Sequence, residues 1–272
     1  MAPIIVATDF SPAALNALNY AADLALVISA PIVLLNVYQV PVSMNEDPMV
    51  LISVEDLADN SRNMLASLKQ KIDHITSGKV DVVTESRLGE VDEEIASACA
   101  GHLPLLVIIG TTGHSGVEGG LFGSTALSVI GELKCPVLAV PRGVEYGKGI
   151  HTIGLAWDFT KNDQALPVEP IRKLVNTLKA HLQLLHVQTD LDDKPADTHP
   201  ALLQSLASLN PAYHHIKHTD VAEGVSTFAE EHNFDLLITV PRKHGFFESL
   251  FRKSSTKDLV RSSHLPVLFV HE

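Results

Sequence analysis

The 272-residue chain has only two cysteines, Cys99 and Cys135. No disulfide framework can hold it together, and free thiols in a cytoplasmic protein are the expectation. Aromatic residues make up 5% of the chain, with a single tryptophan. The core must therefore be aliphatic, which suits a parallel α/β sheet better than a sandwich. Apolar runs of the length that a membrane helix needs, about 18 residues, are missing, so no membrane span is expected. The opening Met1-Ala2-Pro3-Ile4-Ile5-Val6 lacks the basic and long apolar regions of a signal peptide. Basic charge is also short: 20 Lys and Arg face 32 Asp and Glu, a net charge of −12. That balance argues against nucleic acid as a partner. What is present is apolar bulk, 46% of the residues. This excludes general disorder and suffices for one large domain or two ordinary ones.

The chain repeats itself. Ile4-Ile5-Val6-Ala7-Thr8-Asp9-Phe10-Ser11 returns as Ile153-Gly154-Leu155-Ala156-Trp157-Asp158-Phe159-Thr160. Leu34-Leu35-Asn36-Val37 returns as Leu184-Leu185-His186-Val187, and Leu105-Leu106-Val107-Ile108-Ile109 as Leu236-Leu237-Ile238-Thr239-Val240. Cys135-Pro136-Val137-Leu138 returns as Leu265-Pro266-Val267-Leu268. Apolar strands resemble one another, but the shared Asp-Phe-Ser/Thr and Pro-Val-Leu punctuation marks a duplication. Glycines 143, 147 and 149 form the linker, which predicts domains at 1–143 and 150–272.

Within each half, short apolar runs alternate with longer amphipathic ones, the pattern of βαβ units. In the first half, strands are expected at 3–9, 32–38, 79–85, 104–110 and 136–141. Helices are expected at about 12–30, 54–77, 90–101 and 124–133. Ser11-Pro12 reads as an N-cap followed by proline at the first helical position. The second half repeats this with a shorter second helix. Ligands of such sheets sit at the carboxyl ends of strands where strand order reverses. With order 3-2-1-4-5 that point lies between the strands ending at Asp9 and Gly110. The final strands, 136–140 and 266–270, are apolar edges that predict antiparallel pairing of the two halves, as one continuous sheet or two sheets in contact. Val137, Ala139, Val267 and Phe269 form one alternating set; Leu138, Val140, Leu268 and Val270 form the other. One of the two sets is expected to face the opposite half.

Six glycines, at 110, 113, 116, 119, 120 and 123, precede Ser124-Thr125 and a helix. Such a loop lets backbone N–H groups reach an anion, and the helix N-terminus and hydroxyls add to it. A glycine run is equally what a plain surface loop has. It is neither a Walker loop nor a dinucleotide fingerprint, because Gly-Lys-Ser/Thr and an early Gly-x-Gly-x-x-Gly are both missing.

On these residues the sequence resembles the universal stress protein family in its tandem-domain form. Its ATP-binding members carry Gly, two residues, Gly, nine residues, Gly, then Ser or Thr. Gly110, Gly113, Gly123 and Ser124 stand at that spacing. The resemblance covers essentially the whole chain. It implies two tandem Rossmann-like domains of the adenine nucleotide alpha hydrolase-like kind. Each has a five-stranded parallel sheet of order 3-2-1-4-5 with helices on both faces. It also implies a stress-response role, adenine-nucleotide binding and a dimeric habit. Carried over by position, Asp9 with Ala7 and Thr8 would contact base and ribose, and Val37 would line the adenine pocket. The glycines, with Ser124 and Thr125, would hold the phosphates, and Thr111 and His114 belong to the same set. Ala7 departs from the family, whose binding members often have proline there. Asp9 has a second reading, as a brace for the strand-to-helix turn, and Val37 by itself reads as core.

In the second half, Pro241, His244 and Ser254 replace the three spaced glycines, so one ATP per chain is expected, in the first half. Arg242, Lys243, His244, Arg252, Lys253 and Lys257 gather there, as an anion site, a face for an acidic partner or a solvated basic surface. His181, His186, His214, His215 and His218 lack metal-ligand spacing, and Asp190, Asp192 and Asp193 lack the rest of an EF-hand. Cys99 and Cys135 read as buried small hydrophobes with no catalytic relay. Three functions compete: a regulatory ATP-binding module, a slow Mg²⁺- or Mn²⁺-dependent ATPase or phosphotransferase, and a pseudo-dimer with an empty site. No Lys or Arg falls in 110–125, so phosphoryl transfer lacks its charge clamps and binding is preferred. A homodimer of whole chains is optional once the halves pair with each other.

Overall fold

A computed structural model describes residues 1–40, 53–111, 123–157, 166–189, 200–241 and 265–271. The first half runs β1 (Ile4–Ala7), α1 (Pro12–Ile28), β2 (Ile32–Tyr38), α2 (Val54–Ile75), β3 (Val82–Leu88), α3 (Val91–His102), β4 (Leu106–Gly110), α4 (Ser124–Glu132) and β5 (Val137–Val140). The second runs β6 (Thr152–Ala156), α5 (Val168–Leu178), β7 (His181–Gln188), α6 (Pro200–Leu206), β8 (Ala212–Lys217), α7 (Val221–Glu231), β9 (Leu236–Thr239) and β10 (Val267–Phe269).

The strands make one ten-stranded sheet in the order β3-β2-β1-β4-β5-β10-β9-β6-β7-β8. Each half thus has the order 3-2-1-4-5, and the two meet at their fifth strands. Pairing is parallel throughout except at the join, where β5 and β10 run antiparallel with Leu138 opposite Leu268. The expectation that one alternating set faces the other half gives way to a different outcome. The halves join edge to edge, so both sets cross the join, one on each face of the sheet. Leu138, Val140, Leu268 and Val270 belong to a cluster that spans both halves on one face. Val137, Ala139 and Phe269 belong to a cluster on the other.

Strands covered on both faces carry unbroken apolar runs, and Ile4, Ile5 and Val6 are all fully buried. Ser11 caps α1, accepting from Ala14 N at 3.2 Å. The buried face of α1 is rich in small residues, among them Ala13, Ala14, Ala17, Ala21 and Ala25. They let the helix lie close on the sheet. It ends at Ile28, two residues short of expectation, because Ser29 turns left-handed (φ 54°). β3 begins at Val82 rather than 79, since Ser77 and Gly78 both adopt positive φ and delay the chain. The linker is packed, not loose. Asn16 donates to the carbonyls of Pro141 and Val144, and Tyr146 packs edge-on against Tyr20 with ring centroids 5.2 Å apart.

Candidate functional site

A cleft, open at its mouth, lies at the carboxyl ends of β1 and β4, where strand order reverses. Of the residues singled out from sequence, Ala7, Thr8, Asp9, Val37, Gly110, Gly123 and Thr125 line it. Ser124 is exposed beside them, and Thr111 is buried just behind Gly110. Gly113 and His114 lie outside the described residues, as do Asp158, the acidic loop at 190–193, and the basic stretch from Arg242 to Lys257.

The turn from β1 into α1 is built from side chain to backbone. Thr8 Oγ1 accepts from Phe10 N and Asp9 Oδ1 accepts from Ser11 N, both at 3.0 Å. These bonds hold Phe10 left-handed, with φ 63°. The bracing reading of Asp9 is therefore correct, and the same residue lines the cleft. Beneath the turn, Asn36 Nδ2 donates to Thr8 O at 2.7 Å, Ser61 Oγ donates to Asn36 Oδ1 at 2.7 Å, and Ser86 Oγ donates to Ser61. This chain of bonds ties β1, β2, α2 and β3 together. Sequence reasoning missed it, because its members are 25 or more residues apart and carry no shared motif.

The far wall is α3 and α4. Gly123 N donates to Thr111 O at 2.8 Å, so the chain leaves β4 and re-enters α4 at one point. Gly123 is the N-cap of α4 and has no side chain to bond the first-turn N–H groups. Neither α1 nor α4 carries an acid in its first turn. The other helices longer than eight residues, α2, α3, α5 and α7, all do. The N-terminus of α4 thus keeps its partial positive charge, whereas that of α1 already has the Ser11 cap and the Asp9 carboxylate beside it. Much of the remaining lining is apolar: Leu35, Val37, Val91, Ile95, Ile109, Ala126 and Val129. Val91, Ile95 and Val129 were not anticipated; an apolar helix residue gives no sign by itself of which edge of the core it reaches. Asp9 is the one ionisable group among the described lining residues.

Gly110 has a role that the glycine-loop reading did not contain. A Cβ there would stand 2.7 Å from Ala13 C, 2.8 Å from Ala13 O and 2.9 Å from Ala14 N. The absence of a side chain lets the first turn of α1 close on β4.

In α3, Asp92 Oδ2 accepts from Ser128 Oγ of α4 at 2.5 Å. That bond, with a second from Glu93 N, holds the Asp92 carboxyl below the usual carboxylate range. Cys99 and Cys135 are half-buried rather than buried. Their sulfurs lie 2.8 Å apart. Either sulfur can be the donor of the bond between them, and that bond and burial push the Cys99 thiol up. Among the described residues, no three His, Cys, Asp or Glu come together as a metal site, and no helix is long and apolar enough to cross a membrane.

In the second half the corresponding turn is built differently. Trp157 stands where Thr8 stands, its N donating to Leu185 O at 3.1 Å as Thr8 N does to Leu35 O at 2.9 Å. His186 replaces Asn36 and stacks on His215 with ring centroids 5.5 Å apart. Phe234 fills the space over Gly154, where a Cβ would meet its ring at 2.7 Å.

The model of the universal stress protein family matches residues 1–141 and 149–271. A universal stress protein from Archaeoglobus fulgidus DSM 4304 superposes with TM-score 0.72 at 21% identity, over 99% of this chain and 98% of that one. A functionally unknown protein from Pseudomonas aeruginosa PAO1 superposes with TM-score 0.60 at 12% identity, over 100% of this chain and 92% of that one. A universal stress protein solved in complex with cAMP matches 52% of this chain and 97% of its own, with TM-score 0.41 and 21% identity. No curated protein matches the chain. At these identities the likeness is one of fold.

Proposed function

The chain belongs to the universal stress protein family, with two such domains in tandem, and on that premise we propose that it is a regulatory module of the stress response that binds ATP in its first half. The observation that carries the reading is the polarity of the cleft. One side is an apolar slot at Val37, Val91 and Ile95, suited to a purine. The other presents the N-terminal end of α4, without a first-turn acid or a side-chain cap, suited to phosphates. Ala7, Thr8 and Asp9 would face base and ribose. Gly123, Ser124 and Thr125 would face the phosphates, together with Gly113 and His114 of the connecting loop. Thr111 and Gly110 would shape the turn from which that loop starts.

Binding rather than turnover is the function. Phosphoryl transfer calls for a placed base and for Lys or Arg clamps, and the described lining supplies Asp9 alone among ionisable groups. Mg²⁺ or Mn²⁺, if it accompanies ATP, would sit with the phosphates and Asp9.

Titration calorimetry tests the proposal. One ATP per chain is expected, since Pro241, His244 and Ser254 stand at the glycine positions of the second half. Gly123→Asp is the diagnostic variant. It gives α4 a capping carboxylate, worth a few tenths to about 1 kcal/mol in stability. It also sets a negative charge where phosphate is expected. ATP affinity should fall at least about tenfold, equivalent to 1.4 kcal/mol, with the melting temperature unchanged or raised. Two equal sites per chain, or unchanged affinity in Gly123→Asp, would refute the reading.

A further inference from the structure

The α3–α4 wall is tied at two levels. Near the cleft, Ser128 of α4 donates to Asp92 of α3. Seven residues further along both segments, Cys99 of α3 meets Cys135, which follows α4 and precedes β5. The two ties have the same separation, 36 residues. Two half-exposed thiols in contact are open to chemistry that a buried cysteine escapes. We propose that Cys99 and Cys135 are a reversible thiol–disulfide pair, closed by peroxide and opened by thiols, which converts the lower tie of the α3–α4 wall into a covalent one. The inference goes beyond nucleotide binding and does not depend on it.

The geometry meets the main requirement. The sulfurs lie 2.8 Å apart, so bond formation needs only a small movement of the side chains. Either sulfur can be the S–H donor in this contact, so either can supply the attacking thiolate while the other resolves. In the first step one of the two sulfurs, as the thiolate, attacks one oxygen of hydrogen peroxide. The O–O bond breaks, an S–O bond forms, and the displaced hydroxide leaves as water with a proton. In the second step the other sulfur attacks the sulfenic sulfur. The S–S bond forms, the S–O bond breaks, and a second water leaves carrying the second thiol's proton. Two thiols lose two electrons in all, and one peroxide becomes two waters. Small thiols reverse the process by exchange.

The bond would fix the rear of α3 against the entry to β5, while Ile95, one turn earlier in α3, lines the cleft. Oxidation therefore acts on the position of that wall.

The test treats the reduced full chain with hydrogen peroxide and follows intact mass and peptide maps without reductant. A loss of about 2 Da is expected for one disulfide, with the peptides carrying Cys99 and Cys135 joined within one chain and released by dithiothreitol. Amides of α3 should exchange more slowly in the oxidised chain. In Cys99→Ser and in Cys135→Ser the remaining cysteine has no resolving partner, so no bond within the chain should form and the sulfenic acid should accumulate where dimedone can trap it. Two free thiols after excess peroxide would overturn the proposal. So would separate oxidation of each cysteine in the wild-type chain, or bonds only between chains.

Discussion

At Gly110 a single methyl group decides whether β4 and α1 can meet. Backbone atoms of Ala13 and Ala14 stand 2.7–2.9 Å from where its Cβ would be, and backbone at a helix start has nowhere to go. Gly110→Ala should cost about 1–3 kcal/mol of unfolding free energy, the range for overpacking a tight site. Urea melts would measure it. Loss of ATP affinity with no loss of stability would contradict the packing role. Asn36 poses the converse problem. Its amide supplies a donor to Thr8 O and an acceptor to Ser61, all three residues being buried. Asn36→Ala strands both partners, and about 1–3 kcal/mol should be lost by the same measurement.

Among the elements, α3 is joined to β3 by a cluster of charged groups. Its C-terminal His102 bonds Glu85 of β3 at 2.5 Å, and Arg87 bonds both Glu85 and the Glu94 carbonyl. Burial raises the Glu85 carboxyl, but the bonds from His102 and Arg87 outweigh it and hold the group below its ordinary 4.5. A lowered carboxyl value contributes stability that is complete above 4.5 and is lost as pH falls through the folded value. Unfolding free energy measured between about pH 6 and about pH 3 should therefore drop more steeply in the wild type than in Glu85→Gln. Equal slopes would mean that the cluster is too well solvated to matter.

Across the whole molecule, the join of β5 and β10 makes two domains into one sheet. It removes two apolar edges that would otherwise recruit other chains. His271, just beyond β10, reaches over the first half and donates to the Ile130 carbonyl at the end of α4. Burial lowers its pKa despite that bond, so it docks as a neutral ring. Leu268→Asp would place a carboxylate in the shared core opposite Leu138. Calorimetry should then show the melting temperature falling and one transition splitting into two, as the halves lose their common edge. A single transition at the wild-type temperature would place the coupling of the halves elsewhere.

Much of this was legible in the residues. Periodicity and punctuation carried the alternation of strands and helices, because side-chain period follows directly from backbone geometry. The repeat carried the duplication, and the βαβ pattern, with the family resemblance, carried the strand order. The convergence of Asp9 and Gly110 on one crevice followed from that order. Distance in sequence hid the rest. That Gly110 serves α1, that Asn36 lies under Thr8, and that Cys99 touches Cys135 depend on contacts between residues tens of positions apart. The join of the halves shows the division most plainly. Apolar alternation marked 136–140 and 266–270 as edges to be covered and suggested how they would pair. Whether they would lie side by side in one sheet or face to face in two was settled by the tertiary structure. Edge pairing satisfies the backbone N–H and C=O groups as well as the side chains, and packing of faces would have left those groups bare.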